Sequence, residues 1–237
     1  VAASSTAAAN SSASASASSA ASPSSAAATP PVPTTAPTIS YVGELLTRMN
    51  ADMASATSVR VTGSLTVDGQ KASLDVALNT AGGAYGTVHT AQGDLILLRA
   101  GGKDYAQVTD DFIKQQNIPR GSASLVLGKY VLLDAAESQG FDQFLDLKAF
   151  LAVVSTTSTD GDTITGATQI AGTPVDIVAG ADGSTFYVAT QGKALPLRVA
   201  GGGDTSGQID FLGWNTDLRI PGVPPASEVI DASKFAS

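Results

Sequence analysis

Few side chains in this sequence could do chemistry. His89 is the single histidine, and there is no cysteine. Disulfides, thiolate zinc sites and cysteine nucleophiles are therefore excluded. A catalytic triad or a transition-metal site built on one histidine needs partners arriving from elsewhere in the fold. His89 stands between Val88 and Thr90 in an alternating segment, and it reads as an ordinary strand residue. The acidic groupings are Asp110-Asp111 and Asp160-Gly161-Asp162. A calcium loop needs several oxygen ligands in a set register, closed by a bidentate carboxylate. Neither grouping supplies that. A glycosidase pair needs two carboxylates facing across a cleft, which sequence spacing does not reveal. Gly101-Gly102-Lys103-Asp104-Tyr105 has the look of a phosphate loop. It lacks both the glycine spacing and the following helix, so it reads as a hairpin turn, as does Gly201-Gly202-Gly203-Asp204. Trp214, the only tryptophan, is expected either to pack on the core or to line a cavity mouth. No catalytic residue, metal site or cofactor is expected.

The elements that would carry these residues begin after a change in composition. The first 38 of the 237 residues have no charged side chain and are almost all Ala, Ser, Thr and Pro. Residues 1–28 have no apolar stripe that could dock a helix, so disorder is expected. Residues 29–38 hold Pro30, Pro31, Pro33 and Pro37 and should be extended and semi-stiff. Such a stalk sets a domain at a distance from an anchor. The folding unit is then 39–237, about 200 residues, enough to bury a sizeable core without staples.

All 13 basic and 21 acidic side chains fall in that unit, for a net charge of −8. An acidic surface disfavours nucleic acid as a partner and disfavours binding an anionic membrane through the protein surface. No apolar run reaches the ~18 residues of a membrane-spanning helix. The chain opens at Val1 without a basic leader segment, so an export signal is expected to have been removed.

Residues 39–56 read as a helix with Ser40 as N-cap and an apolar stripe of Val42, Leu45, Leu46, Met49 and Met53. From Ser58 the period becomes two. Five strands are expected over 58–67, 73–78, 84–90, 94–100 and 103–109, with Asp68-Gly69 as the first hairpin signal. The run 95–98 should be buried on both faces. A short helix at 111–117 and a strand at 129–134 follow. One helix should then run from Ser138 or Asp142 to Val154. Strands are expected again at 163–170, 173–179, 185–190, 195–200 and 208–212, with a proline-bearing tail lying across the sheet. Strand runs with helices set apart indicate an α+β fold. A sheet of that many strands must curl, because twist accumulates. The expected architecture is a curled, mainly antiparallel half-barrel with helices covering its concave side.

Several segments add a resemblance. SVRVTGSLTVDGQKASLDVAL (58–78), GDLILLRAGGKDYAQV (93–108), GKYVLLD (128–134), ALPLRVAGG (194–202) and GQIDFLGWN (207–215) follow, in order, the strands of a class of actinobacterial surface lipoproteins. Tyr130 stands where tryptophan is more usual. Over residues 41–225 the chain resembles the LppX/LprG group and, more distantly, the LolA/LolB lipoprotein carriers. The resemblance implies a half-barrel domain lipid-anchored on the outer face of the plasma membrane, or secreted. It also implies, for some relatives, a lipid or other amphiphile held between sheet and helices. The lipidated cysteine of such proteins is absent here, with Val1 in its place, which reads as trimming.

Two functions remain open at this point. In one, a hydrophobic ligand lies against Val61, Leu65, Leu74, Val76, Leu78, Leu97, Leu147 and Leu151, taken as the inward set of the sheet and of the 142–154 helix. A register slip of one residue would exchange the strand members for the opposite face. In the other, the core is filled and the domain is a non-catalytic structural or protein-interaction module of the cell envelope.

Overall fold

The computed structural model describes residues 39–231, apart from 68–69, 92, 116, 118, 140, 157–159 and 203–205. The expected stalk, the turn residues Asp68-Gly69 and the Gly203-Asp204 part of the later glycine turn lie outside the described residues. The chain runs through α1 (Ile39–Ala54), then the meander β1 (Ser58–Val67), β2 (Gln70–Asn79), β3 (Ala84–Thr90), β4 (Gly93–Ala100) and β5 (Lys103–Val108). A helical stretch follows, with α2 (Asp110–Gln115), α3 (Arg120–Val126), the short strand β6 (Tyr130–Leu132), α4 (Ala135–Gln139), α5 (Asp142–Leu145) and α6 (Leu147–Val154). A second run of strands is β7 (Thr163–Ile170), β8 (Thr173–Ala179), β9 (Thr185–Ala189), β10 (Pro196–Ala200) and β11 (Ser206–Leu212), with β12 (Val229–Asp231) near the end.

All twelve strands belong to one sheet, in the order β12-β6-β5-β4-β3-β2-β1-β11-β10-β9-β8-β7. Each pair is antiparallel except β12 with β6. The two meanders meet where β1 pairs with β11, so that Val61 lies opposite both Val76 and Phe211. The sheet is curled and unclosed, as the sequence pattern implies.

The curl has a local cause in two glycines on the concave face. Gly63 of β1, at φ +155°, is so close to β11 that a Cβ would stand 2.1 Å from the Gln208 carbonyl oxygen. At Gly86 of β3 a Cβ would stand 2.1 Å from the Asp75 carbonyl oxygen and 2.5 Å from the Val76 Cα. Neighbouring backbones therefore fold onto each other on the inner side at both seams. Only a residue without a side chain permits that approach.

The strand boundaries follow the period-two pattern closely, and three expectations need correction. The helix expected from 138 or 142 to 154 is divided: α4 ends at Gln139, and 142–154 is split into α5 and α6. Asp146 breaks it, with extended backbone (φ −117°, ψ 121°), and its Oδ1 accepts from the Ala149 amide at 2.8 Å. Aspartate competes for backbone donors and so starts a helix here rather than sitting inside one. Asp146→Ala is expected to cost about 1 kcal/mol, read as a lower urea midpoint. Ser40 lies inside α1, which begins at Ile39, and so does not cap it. The run 95–98 is sealed on both faces only at Leu97 and Leu98, each 0% exposed. Leu95 and Ile96 are half-buried.

The outer face beneath Leu98 is covered by the chain's end. Leu98, Ala100 and Tyr105 cluster with Tyr85, Tyr130, Leu132, Ile220 and Val229. Tyr105 and Tyr130 meet edge to face at 6.3 Å. The tail thus crosses the sheet as expected, and it also adds the parallel edge strand β12.

Candidate ligand groove

The concave face is roofed by α1 and α6. Val42, Leu45, Leu46, Met49 and Met53 form the expected stripe of α1, and all are buried in the main core. Leu147, Phe150 and Leu151 project from α6 into the same cluster. Register places Val61, Val76 and Phe211 on one face with Leu74, Leu78 and Leu97. Phe211 connects the layers: it meets Phe150 at 6.2 Å and stacks on Trp214 at 5.5 Å. The Trp214 indole N–H donates to the Pro196 carbonyl at 2.8 Å. Of its two expected roles, Trp214 has the packing one.

Seven of the eight residues expected to line a ligand site are at most 6% exposed and belong to this core. The eighth, Leu65, lies in β1 opposite Ala72 and Gly207; its side chain is outside those described. The inward register expected from the sequence is thus the buried one. The strand members pack directly against the helices. Leu147 and Leu151 differ, because they also line a groove of about 390 Å³ between α1 and α6, with Asn50, Met53, Ala54, Ala56, Thr80, Lys148, Ala152 and Ser155.

The groove is apolar along Met53, Ala54, Leu147 and Leu151. Asn50 Nδ2 donates to the Thr156 carbonyl, while its Oδ1 is enclosed and has no hydrogen-bond partner. Lys148 is the only charged residue of the lining. Sequence reasoning identified Met53 as part of the helical stripe but did not assign Asn50, Lys148 or Ala152 to a site. The signal was available in the spacing of Asn50, Met53 and Ala54, three and four residues apart on one helical face. Smaller recesses lie beside Asp162, Asp182, Ser184 and Phe186 (about 100 Å³), and on the outside beside Gly101 and Val223 (about 290 Å³).

The other candidate chemistries resolve into structure. His89 lies opposite Asp94 across β3 and β4, with Nδ1 2.8 Å from the carboxylate and both side chains part-exposed. Asp110 and Asp111 are exposed in the first turn of α2, where acidic groups favour the helix dipole. Asp162 is buried and accepts from the Ala181 amide at 3.0 Å. Gly101 and Gly102 take positive φ in the β4–β5 turn. Asp104 from the same motif is bound by Arg99 through two bonds of 2.6 and 2.8 Å, and Arg99 also reaches Asp142 of α5 at 2.6 Å. The hydrogen bond to Asp104 raises the Arg99 pKa above its ordinary value, against the opposing effect of burial. Among the described residues, no three His, Asp or Glu side chains converge as metal ligands.

No family model matches the chain, and no curated protein matches it. Solved structures do. LprF from Mycobacterium bovis superposes with a TM-score of 0.54 at 18% identity, over 79% of this chain and 99% of that one. Lipoprotein LppX from Mycobacterium tuberculosis gives 0.51 at 16% identity, over 77% and 99%. A LolA superfamily protein from Nitrosomonas europaea, at 9% identity and a TM-score of 0.28, is too distant to carry an argument. At these identities the likeness is one of architecture: this chain has the fold of LprF and of the lipoprotein LppX.

Proposed function

We propose that this domain is an exported, non-catalytic carrier that holds a hydrophobic ligand, such as a lipid chain, in the groove between α1 and α6. The observation that carries the reading is the groove itself, an apolar channel at the mouth of the concave face. Its volume lies within the usual range for small-molecule sites, about 300–1,000 Å³. Each methylene buried there contributes about 0.8 kcal/mol, so an acyl chain needs no polar hot spot to bind. The shared fold with lipoprotein LppX supports an envelope setting. We place the domain on the outer side of the plasma membrane, held by an N-terminal lipid anchor or released. The Ala, Ser and Pro composition of residues 1–38 suits a spacer for that position.

The tight burial of Val61, Val76, Leu78 and Leu97 favours a second reading, a filled core that serves as a scaffold for protein contacts. The two readings separate at α6. Ala152 is exposed and lines the groove, while its neighbour Val153 is 74% exposed and does not line it. Ala152→Trp should fill the channel and reduce lipid uptake at least tenfold. Val153→Trp should leave uptake unchanged. The measurement is native mass spectrometry of each purified full-length protein after incubation with a lipid extract of its host. Uptake by Ala152→Trp at the level of the parent protein would reject the groove. No uptake by any of the three proteins would favour the filled-core scaffold.

A further inference from the structure

We infer that the outer edge of β7 takes an extended, basic peptide as a further strand of the sheet. The inference stands apart from the groove and from the carrier reading. β7 (Thr163–Ile170) ends the sheet on one side. It has eight residues, with no proline and no charged side chain, and so lacks two of the features that usually blunt an edge. The opposite edge is the three-residue β12.

The direction of the β7 backbone groups follows from its pairing with β8. Along a strand, successive residues turn their N–H and C=O to opposite sides. Ala171 and Gly172, at φ 48° and 81°, make the two-residue turn into β8, so the flanking Ile170–Thr173 pair is of the hydrogen-bonded kind. The next pair, Gln169 with Pro174, is then not. Proline has no N–H, and the Pro174 carbonyl accepts from the Thr190 amide, on the β9 side, at 3.1 Å. Gln169 and, two residues back, Ala167 therefore aim their N–H and C=O away from β8. Both residues are exposed, and among the described residues no strand lies on that side. A bulge between Ile164 and Gly166, where the Thr165 hydroxyl donates to the Ile177 carbonyl at 3.4 Å, confines regular pairing to 166–170.

Charge selects the occupant. From 149 to 192, a span that includes β7, β8 and β9, the charged side chains are Asp160, Asp162, Asp176 and Asp182, with no Lys or Arg. Of the bases on neighbouring elements, Arg198 is paired with Asp210, Lys193 is bonded to the Ser55 hydroxyl, and Arg48 of α1 acts on Tyr41. The acids remain in excess. They repel a second copy of this edge and attract a cationic strand. Ala167 lies opposite Asp176, so a peptide residue paired with Ala167 has its side chain on the Asp176 face. Two strand spacings, about 10 Å, separate them, which suits a lysine or an arginine.

Fluorescence anisotropy on the full-length protein tests this with three short labelled peptides. One alternates lysine with valine and threonine, one has glutamate for lysine, and one is the lysine peptide N-methylated throughout its centre. The lysine peptide should bind at least tenfold more tightly than either of the others. Ala167→Pro removes an outward donor and no β7–β8 bond, and should weaken lysine-peptide binding at least tenfold. Asp176→Asn should weaken it about threefold. Should Ala167→Pro fail to fold, the N-methylated peptide still separates strand pairing from charge. Equal binding of the N-methylated peptide would overturn the added strand, and equal binding of the glutamate peptide would overturn the basic partner. Binding of no peptide would overturn both. A dimer in sedimentation that Ala167→Pro abolishes would give the edge to a second copy and overturn the peptide.

Discussion

Gly86→Ala is expected to destabilise the domain by about 3 kcal/mol, a large effect for one methyl group. The added Cβ would stand 2.1 Å from one backbone atom of β2 and 2.5 Å from another. Backbone cannot rotate away as a flexible side chain can, so β3 must lift off β2. Lifting it opens the layer that holds Val76 and Leu97, the two cross-strand neighbours of Gly86. Gly121 provides the control. It lies in α3, and a Cβ there meets nothing within 4 Å. Gly121→Ala should be neutral or stabilising by up to about 1 kcal/mol. Urea denaturation of the two variants reads both effects, and a loss under about 1 kcal/mol at Gly86 would refute the close approach as the origin of the curl.

Arg99→Met should cost about 3 kcal/mol by leaving Asp104 buried without its cation. The Asp104 side chain is 9% exposed, and Arg99 supplies its bidentate partner. The same guanidinium ties Asp142, and with it α5, to the sheet. The double variant Arg99→Met, Asp104→Leu should regain most of the loss, because no charge is then left uncompensated. If the double variant is as unstable as the single one, the cost lies in lost packing and not in the orphaned carboxylate. The sign of the pH dependence follows from the direction of the arginine shift. A pKa raised above the unfolded value gives stability that is present below the unfolded pKa and lost only above the folded one. The unfolded value for arginine itself lies far above neutral pH. The arginine's own titration therefore leaves stability flat from about pH 5 to pH 9.

The local pattern was legible and the long-range pairing was not. Alternation in Ser58–Val67 and Gln70–Asn79 states both the strands and their buried face, because a one-residue slip would expose Val61 and Val76. The α1 stripe states a helix for the same reason. The apolar residues on either side of Asp146, Leu145 and Leu147, suit a continuous stripe, so pattern alone places Asp146 inside a helix. Its role as a cap depends on a hydrogen bond that pattern does not encode. The three-residue strand β12 is too short for periodicity to show. The groove between α1 and α6 depends on how two helices far apart in sequence lie together. Leu147 and Leu151 could be assigned inward, while Lys148 and Asn50 could be placed only once both helices were in position.

The β1–β11 seam has a consequence for how the chain reaches its native state. Val61 must wait for Phe211, roughly 150 residues later. At about 5–20 residues per second of synthesis, that delay is on the order of ten to thirty seconds. During it the first meander can form its local hairpins, but β1 keeps an open edge and its inner face lacks Phe211 and Ile209. Loops that long also close slowly. The half-made sheet therefore carries an unpaired strand edge for most of its synthesis. The seam at the centre of the sheet is thus among the last to close, and until β11 is made the two halves of the sheet have no backbone pairing between them.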